Sequence, residues 1–238
     1  METESIARLL PPSLGSKQTR ASQLLGRLRA EIISGRLAPG ERLVVSTLAE
    51  TLDAGQTPIR EALMRLASEG FVVLEDQRGF TVAPVSRDEL VDLTSARAEM
   101  DALALRWSIQ RGDDNWEASL LGAFHRLQKS TKVAGDGGIQ PDWEERHRAF
   151  HEALVGACPN KVLLQVRTTL YERAERYRNL SVRYLRAPRD DRGEHEAIMN
   201  AALARDSAKA EQLLKTHILR TSEILLDEID AGSRPPPS

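Results

Sequence analysis

The chain has 238 residues, and its 33 Lys and Arg nearly balance its 35 Asp and Glu, so its formal net charge of −2 neither favours nor excludes a nucleic-acid partner. At roughly 150 residues per domain, this length predicts one large or two modest domains. No stretch approaches the roughly 18 consecutive apolar residues of a transmembrane helix, so no membrane partner is expected. The single cysteine excludes an intramolecular disulfide and favours a cytoplasmic location.

The N-terminal third contains both helical and strand patterns. We predict a flexible arm over residues 1–17 and a helix over about 18–34, where Leu and Ile recur at helical spacing. A short helix is predicted over 46–52 and a second helix from Thr57-Pro58 to Gly70. Two β-rich runs on either side of a Gly-containing connection then predict a hairpin over 71–83.

This order of elements is typical of a winged helix-turn-helix domain, which we place at residues 18–83. In such a domain the second helix presents its first residues to the major groove, and the hairpin tip contacts the minor groove or the backbone. The same topology also occurs in proteins that do not bind DNA. If DNA is the partner, the expected contacts are Gln56, Thr57, Arg60 and Arg65 on the helix and Arg78 at the hairpin tip.

After a linker at 84–87, the pattern is helical from 88 to about 229, with breaks that divide it into six helices. The Pro-rich end, residues 230–238, is predicted to be a disordered tail. The predicted fold is therefore mainly α, with an N-terminal winged helix-turn-helix domain followed by an all-α six-helix bundle.

Four of the five histidines fall on apolar helix faces of this second domain. His147 and His151 are four residues apart and therefore share one face, while His195 and His217 lie in apolar stripes of two later helices. Each histidine alone is more typical of an ordinary core residue than of a ligand. Four together need partners, because burying several imidazoles is costly. A divalent metal such as Zn, Ni, Cu or Fe is one such partner. His125 lies on a charged face and is interpreted as a surface residue.

Arg97 is a second candidate site residue, since its helical neighbours are apolar. A buried guanidinium needs an anion. The anion is either a protein carboxylate such as that of Glu99 or Asp101, in an internal salt bridge, or the carboxylate of a bound effector.

The motifs Ile33-Ser-Gly-Arg-Leu-Ala-Pro-Gly-Glu-Arg-Leu43, Leu48-Ala-Glu50 and Thr57-Pro-Ile-Arg-Glu-Ala-Leu-Met-Arg-Leu66 resemble the GntR family of bacterial transcription regulators. The resemblance covers residues 24–83 and implies binding to double-stranded operator DNA. Arg60 matches a DNA-contacting arginine of the family, and Gly79 matches the glycine of its wing. The family commonly has Ser-Arg where this chain has Gly55-Gln56. Since Gln can pair with adenine, this departure implies a different operator.

The second domain resembles the FCD effector-binding domain of the FadR subgroup of this family, which spans residues 87–226 here. That domain often holds a divalent metal through one Asp and three His, and its metal and an arginine bind small carboxylates. His151, His195 and His217 match the three histidines, and Arg97 matches the arginine. His147 stands where the family has Asp, which implies a preference for Zn or Ni, or else a role for His147 in binding the effector.

The hypothesis that follows is a homodimeric, ligand-responsive DNA-binding repressor of a carboxylate catabolic operon, which binds a pseudo-palindrome. Three segments, at 96–100, 111–118 and 146–151, are similar to a glutarate-responsive branch of the family, which implies a C5 dicarboxylate effector. One alternative is a metal-dependent enzyme that uses the histidines, although no general base is evident beside them, because Glu144, Glu145 and Glu152 are interpreted as solvent-facing. The other is a purely structural dimerisation module.

Overall fold

The computed structural model describes residues 20–75, 79–132, 139–182 and 191–232. The chain divides into two compact units. The smaller comprises the chain up to Ala30 together with Glu41–Val82, and the larger comprises Glu31–Gly40 together with the chain from Ala83 onwards. The predicted arm (1–17), the hairpin tip with Arg78, and residues 233–238 of the predicted tail lie outside the described residues.

Over its described residues, the smaller unit contains three helices and a small sheet, in the predicted winged helix-turn-helix order. The helices are α1 (Arg20–Ile33), α2 (Val45–Thr51) and α3 (Gln56–Ser68), and α1 continues into the larger unit. The strands are β1 (Arg42–Leu43), β2 (Val72–Glu75) and β3 (Gly79–Val82). They form an antiparallel sheet of order β1-β3-β2, in which Leu43 pairs with Phe80 and Val72 with Val82.

The end of α3 shows why the chain turns where it does. Gly70 has a φ of 81°, a left-handed conformation that glycine adopts without a Cβ clash. The Phe71 N–H donates to the Leu66 carbonyl at 2.9 Å and the Gly70 N–H to the Ala67 carbonyl at 3.1 Å, the two bonds of a Schellman motif. Leu66 and Phe71 are fully buried, so this turn anchors β2 to the same core as α3.

The larger unit is all-helical over its described residues and contains six long helices, as the sequence predicts. They are α4 (Arg87–Arg111), α5 (Asp114–Gln128), α6 (Pro141–Leu154), α7 (Lys161–Val182), α8 (Arg192–Leu203) and α9 (Ser207–Gly232). Side-chain caps fix four of these starts, among them those of α4 and α5, where Ser86 Oγ accepts from the Glu89 N–H at 3.2 Å and Asp113 Oδ1 accepts from the Trp116 N–H at 2.9 Å. The core is centred on Leu120, Phe150 and Ile198, each fully buried.

Three sequence-based boundaries need correction. α2 begins at Val45, one residue earlier than predicted, and α3 begins at Gln56, so Pro58 is its third residue instead of its first. β1 was not predicted, because two residues are too few to show a strand period. α9 continues to Gly232, so residues 230–232 are helical and do not belong to a disordered tail.

Candidate functional site

Four histidines from three helices meet in the interior of the larger unit. α6 contributes His147 and His151, α8 contributes His195 and α9 contributes His217. One ring nitrogen from each lies within 4.8 Å of those of the others. All four side chains are buried, the most exposed being His217 at 5%. The structure thus brings together the four histidines that helical spacing predicted to face the core. We call these four residues the His cluster. His125 is exposed, as predicted.

Neighbouring side chains orient the rings of the His cluster. The Nδ1 atoms of His147 and His217 lie 3.0 Å from the Tyr171 hydroxyl and 2.9 Å from Glu194 Oε2. His195 Nδ1 lies 4.0 Å from Asp191 Oδ1, and the indole of Trp143 stacks on the His147 ring at 4.5 Å. When Nδ1 donates to such a partner, Nε2 keeps its lone pair, which is how proteins prepare imidazoles to bind a metal.

The chemistry of the His cluster fits a divalent transition metal. His147 Nε2 and His151 Nε2 lie 3.2 Å apart. Two nitrogens bound at about 2.05 Å to one tetrahedral ion would lie about 3.3 Å apart, which is close to this distance. Burial, followed by the neighbouring imidazoles and arginines, holds the pKa values of His147 and His151 well below 6.5. The rings are therefore neutral at pH 7, which is the form that binds a metal.

Tyr171 connects the His cluster to a group of arginines. Its hydroxyl faces His147, and burial raises its pKa above the usual value of 10, so the phenol stays protonated. Four guanidinium carbons surround its ring, at distances of 4.6 to 5.7 Å from the ring centre; they belong to Arg97, Arg148, Arg167 and Arg178. Four carboxylates pair with these four arginines, so the charges of the group nearly balance.

Arg97 is buried, as its helical neighbours predicted, and it makes the internal salt bridge that was one of its two possible roles. Its Nε donates to Asp101 Oδ2 at 3.1 Å. Asp101 also pairs with Arg167, so two guanidinium groups share one carboxylate. Within the described residues, no hydrogen bond or ion pair engages the two Nη groups of Arg97. Burial, ahead of all other causes, lowers its pKa. Arg97 therefore keeps donors for a further anion.

Glu144 is not solvent-facing, which corrects one sequence-based expectation. It is only 9% exposed and forms a two-pronged pair with Arg178, whose Nε donates to Glu144 Oε2 at 3.3 Å. Nearby, Arg148 forms ion pairs with both Glu172 and Glu175. Burial, together with the nearby Glu144, raises the pKa of Glu175 to about 7. Because Arg178 holds Glu144, this carboxylate is poorly placed to act as the general base of a metal enzyme.

Four of the predicted DNA contacts are exposed along α3 in the smaller unit: Gln56, Thr57, Arg60 and Arg65. Gly55 caps α3 without a side-chain hydrogen bond, which leaves the first-turn N–H groups available to a phosphate. Gly79 begins β3 with a φ of 83°. It lines a concave surface of about 470 Å³ together with Gln56 and Arg60.

Sequence reasoning missed Arg42, which lies on β1 and lines the same concave surface. It is exposed, and no ion pair or hydrogen bond involves its side chain within the described residues. β1 is too short to be recognised by periodicity, so no signal placed Arg42 beside α3. In the larger unit, sequence reasoning named Asp101 as a possible partner of Arg97 but missed the other residues that surround the His cluster: Tyr171, Arg167, Arg178, Asp191 and Glu194.

Comparison with known proteins identifies both units. Residues 20–82 match the family described as bacterial regulatory proteins, gntR family, and residues 92–220 match the FCD domain. No helix among the described residues is both long and apolar enough to cross a membrane.

Two relatives and one solved structure are similar over most of the chain. The HTH-type transcriptional repressor GlaR of Escherichia coli K12 is 37% identical over 202 residues, which cover 83% of this chain and 92% of that protein. The uncharacterized HTH-type transcriptional regulator BphR of Paraburkholderia xenovorans LB400 is 35% identical, covering 90% and 89%. The structure of E. coli McbR/YncC shares the fold, with a TM-score of 0.71 at 24% identity over 88% of this chain and 98% of that one. The chain therefore belongs to the GntR family, in the group with an FCD domain, and is a DNA-binding transcription regulator and not an enzyme.

Proposed function

We propose that this regulator is a homodimeric repressor of a carboxylate catabolic operon, and that its His cluster holds a divalent metal that helps to bind a small dicarboxylate. The observation that carries the proposal is the position of Tyr171, which contacts both His147 and Arg97. Metal ligands and a guanidinium with unused donors thus face one region of the larger unit.

The four imidazoles would hold the metal. They are neutral nitrogen ligands, which suit Zn or Ni better than hard ions such as Mg. When bound, the metal supplies a Lewis-acidic position for a carboxylate oxygen. Tyr171 and Glu194 hold the rings of His147 and His217 in orientation. His147 is assigned as a metal ligand, because its Nε2 faces His151 at 3.2 Å.

The site offers two separate positions for a carboxylate. Arg97 and Arg167 share the single carboxylate of Asp101, and the Nη groups of Arg97 are left to bind a further anion. A divalent ion on four neutral imidazoles would supply the second position. One carboxylate would bind at the metal and the other at the Nη groups of Arg97, and a C5 dicarboxylate such as glutarate is the first compound to test.

DNA recognition is assigned to α3 and the neighbouring wing. Gln56 can pair with adenine, Thr57 and Arg60 contact bases or phosphates, and Arg65 and Arg42 contact the backbone. Two such domains in a two-fold dimer would bind a pseudo-palindromic operator. The effector acts by favouring the conformation that binds operator DNA less tightly, which requires that its affinity differ between the two states.

Fluorescence anisotropy tests the proposal, with the duplex upstream of the chain's own coding sequence as the labelled DNA. Zn-loaded protein should bind this duplex at moderate salt and release it when glutarate is added. Protein treated with a chelator should bind without responding. The Arg97→Gln variant should retain both Zn and DNA binding while losing the response. Failure to bind any fragment refutes the DNA assignment, and an equal glutarate response with and without Zn refutes the role of the metal.

A further inference from the structure

Helix α7 holds both of the segments through which the chain passes between its two units. The chain enters the larger unit at Glu31, leaves it after Gly40 and enters it again at Ala83. Residues 31–40 and the linker that begins at Ala83 therefore carry the covalent connections between the described parts of the two units. Both segments are held by residues of the last three turns of α7.

The segment that follows α1 is held by two consecutive residues of α7. Asn179 Nδ2 donates to the Ile33 carbonyl at 3.2 Å. Gly35 lies so close to Leu180 that a Cβ on Gly35 would come within 2.9 Å of Leu180 Cδ2. With a φ of 74°, Gly35 also occupies the left-handed region. A side chain at this position would strain the backbone and would displace the end of the Leu180 side chain, so the segment packs closely against α7.

The linker is held by the preceding turn of the same helix. Arg176, which is 3% exposed, donates through Nη2 to the Ala83 carbonyl. The Tyr177 hydroxyl accepts from the Ser86 N–H at 3.3 Å and donates to Glu89 Oε2 at 2.7 Å. Since Ser86 caps α4, these contacts fix both the linker and the start of the next helix.

The opposite side of the same turns of α7 belongs to the proposed effector site. Tyr171 faces His147, and Arg178 pairs with Glu144. Positions 171, 175 and 178 repeat at i, i+4 and i+7, so they share one face. Positions 173, 176, 177 and 180 repeat at i, i+3, i+4 and i+7 on another face. One helix therefore contacts the effector site on one face and both connecting segments on the opposite face, through Arg176, Tyr177 and Leu180, while Asn179 lies between the two faces.

We infer that α7 transmits occupancy of the effector site to the DNA-binding unit, with Arg176 and Asn179 as the positioning residues that tie the two connecting segments to it. The inference rests on the proposed function, because it assigns a regulatory role to the same site. A shift of α7 that accompanies ligand binding moves both connections together. The inference covers the metal as well as the effector. If bound Zn changes the affinity for DNA through α7, thermodynamic reciprocity requires that DNA bound to the smaller unit change the affinity of the His cluster for Zn by the same factor.

The test measures the Zn dissociation constant of the full chain, by competition with a chromophoric chelator, with and without a saturating DNA duplex selected in vitro for binding. In the wild type, DNA should change this constant at least fivefold, the lower end of ordinary allosteric coupling. In Asn179→Ala and in the double variant Arg176→Lys/Asn179→Ala, the ratio of the Zn dissociation constants with and without DNA should fall below about twofold. Zn affinity without DNA, and DNA affinity without Zn, should stay within about threefold of the wild type. Thr168→Ala, an exposed position on α7, should behave as the wild type.

A purely structural role for Arg176 and Asn179 would leave the ratio unchanged, and that result overturns the inference. A wild-type ratio of one, with both Zn and DNA bound, overturns it as well. If the chain binds no Zn, the metal half of the proposed function fails, and hydrogen exchange then decides the inference separately. DNA binding should still alter the exchange of amides in residues 171–182, and unchanged exchange there would refute transmission through α7.

Discussion

Glu194 should control the metal affinity of the His cluster without touching the metal. It lies in the first turn of α8 and accepts a hydrogen bond from His217 Nδ1 at 2.9 Å, while Arg220 lies 3.3 Å from its other oxygen. Carboxylates in this position make the imidazole a better donor and fix its orientation. Their loss typically weakens metal affinity about 10- to 100-fold, or about 1.4 to 2.7 kcal/mol.

We therefore expect Glu194→Ala to raise the Zn dissociation constant by about 10- to 100-fold and Glu194→Gln to raise it less, because the amide oxygen can still accept from Nδ1. The assay is the competition titration with a chromophoric chelator, at one pH and one ionic strength. Glu99→Ala is the matched control. Glu99 pairs with Lys215 on the surface at 2.7 Å, so its removal should leave Zn affinity unchanged. A change below twofold in Glu194→Ala would show that His217 does not bind the metal.

Three further predictions follow from other parts of the chain. Arg60→Ala should weaken operator binding by about tenfold or more without affecting Zn affinity, while Gln56→Arg should change which duplexes are selected in vitro; equal affinity and unchanged selection would remove α3 from the DNA surface. The Glu175 carboxyl, which faces Glu144, Glu172, Arg148 and Arg178, has a pKa raised to about 7 in the folded state, so it favours folding at low pH and this contribution is lost as the pH rises through 7. The melting temperature of the wild type should therefore fall relative to that of Glu175→Gln between pH 5 and pH 8. Melting temperatures that change with pH in parallel would contradict the raised pKa of Glu175. Leu120→Ala, at a fully buried position, should cost about 2–5 kcal/mol in chemical denaturation, whereas Leu121→Ala, next to it and 48% exposed, should cost less than about 0.5 kcal/mol.

The sequence was most informative where residues repeat at helical spacing. His147 and His151 share a face because they are four residues apart, and the apolar neighbours of His195 and His217 place both in the core. The same rule applied to Arg97 predicted a buried guanidinium. In these cases burial follows from local periodicity, and local periodicity is visible in one sequence.

The sequence was least informative where charged residues are buried. Glu144 precedes His147 by three residues and so lies on the same face, but a charged side chain is ordinarily assigned to solvent. Its burial depends on Arg178, which is 34 residues away. The buried faces of α7 likewise mix Tyr, Arg and Glu, so no apolar stripe identifies them. Such pairs depend on tertiary contacts, which a single sequence does not reveal.

X-ray absorption at the zinc edge of the Zn-loaded chain, combined with its metal content, tests the His cluster most directly. The account predicts one Zn per chain, nitrogen or oxygen ligands at about 2.0–2.1 Å, and the outer-shell scattering of three or four imidazoles. In His195→Ala the metal content should fall and the imidazole contribution should decrease. A spectrum without imidazole scattering, or the same spectrum and metal content in His195→Ala, would contradict the assignment of these four histidines to one metal.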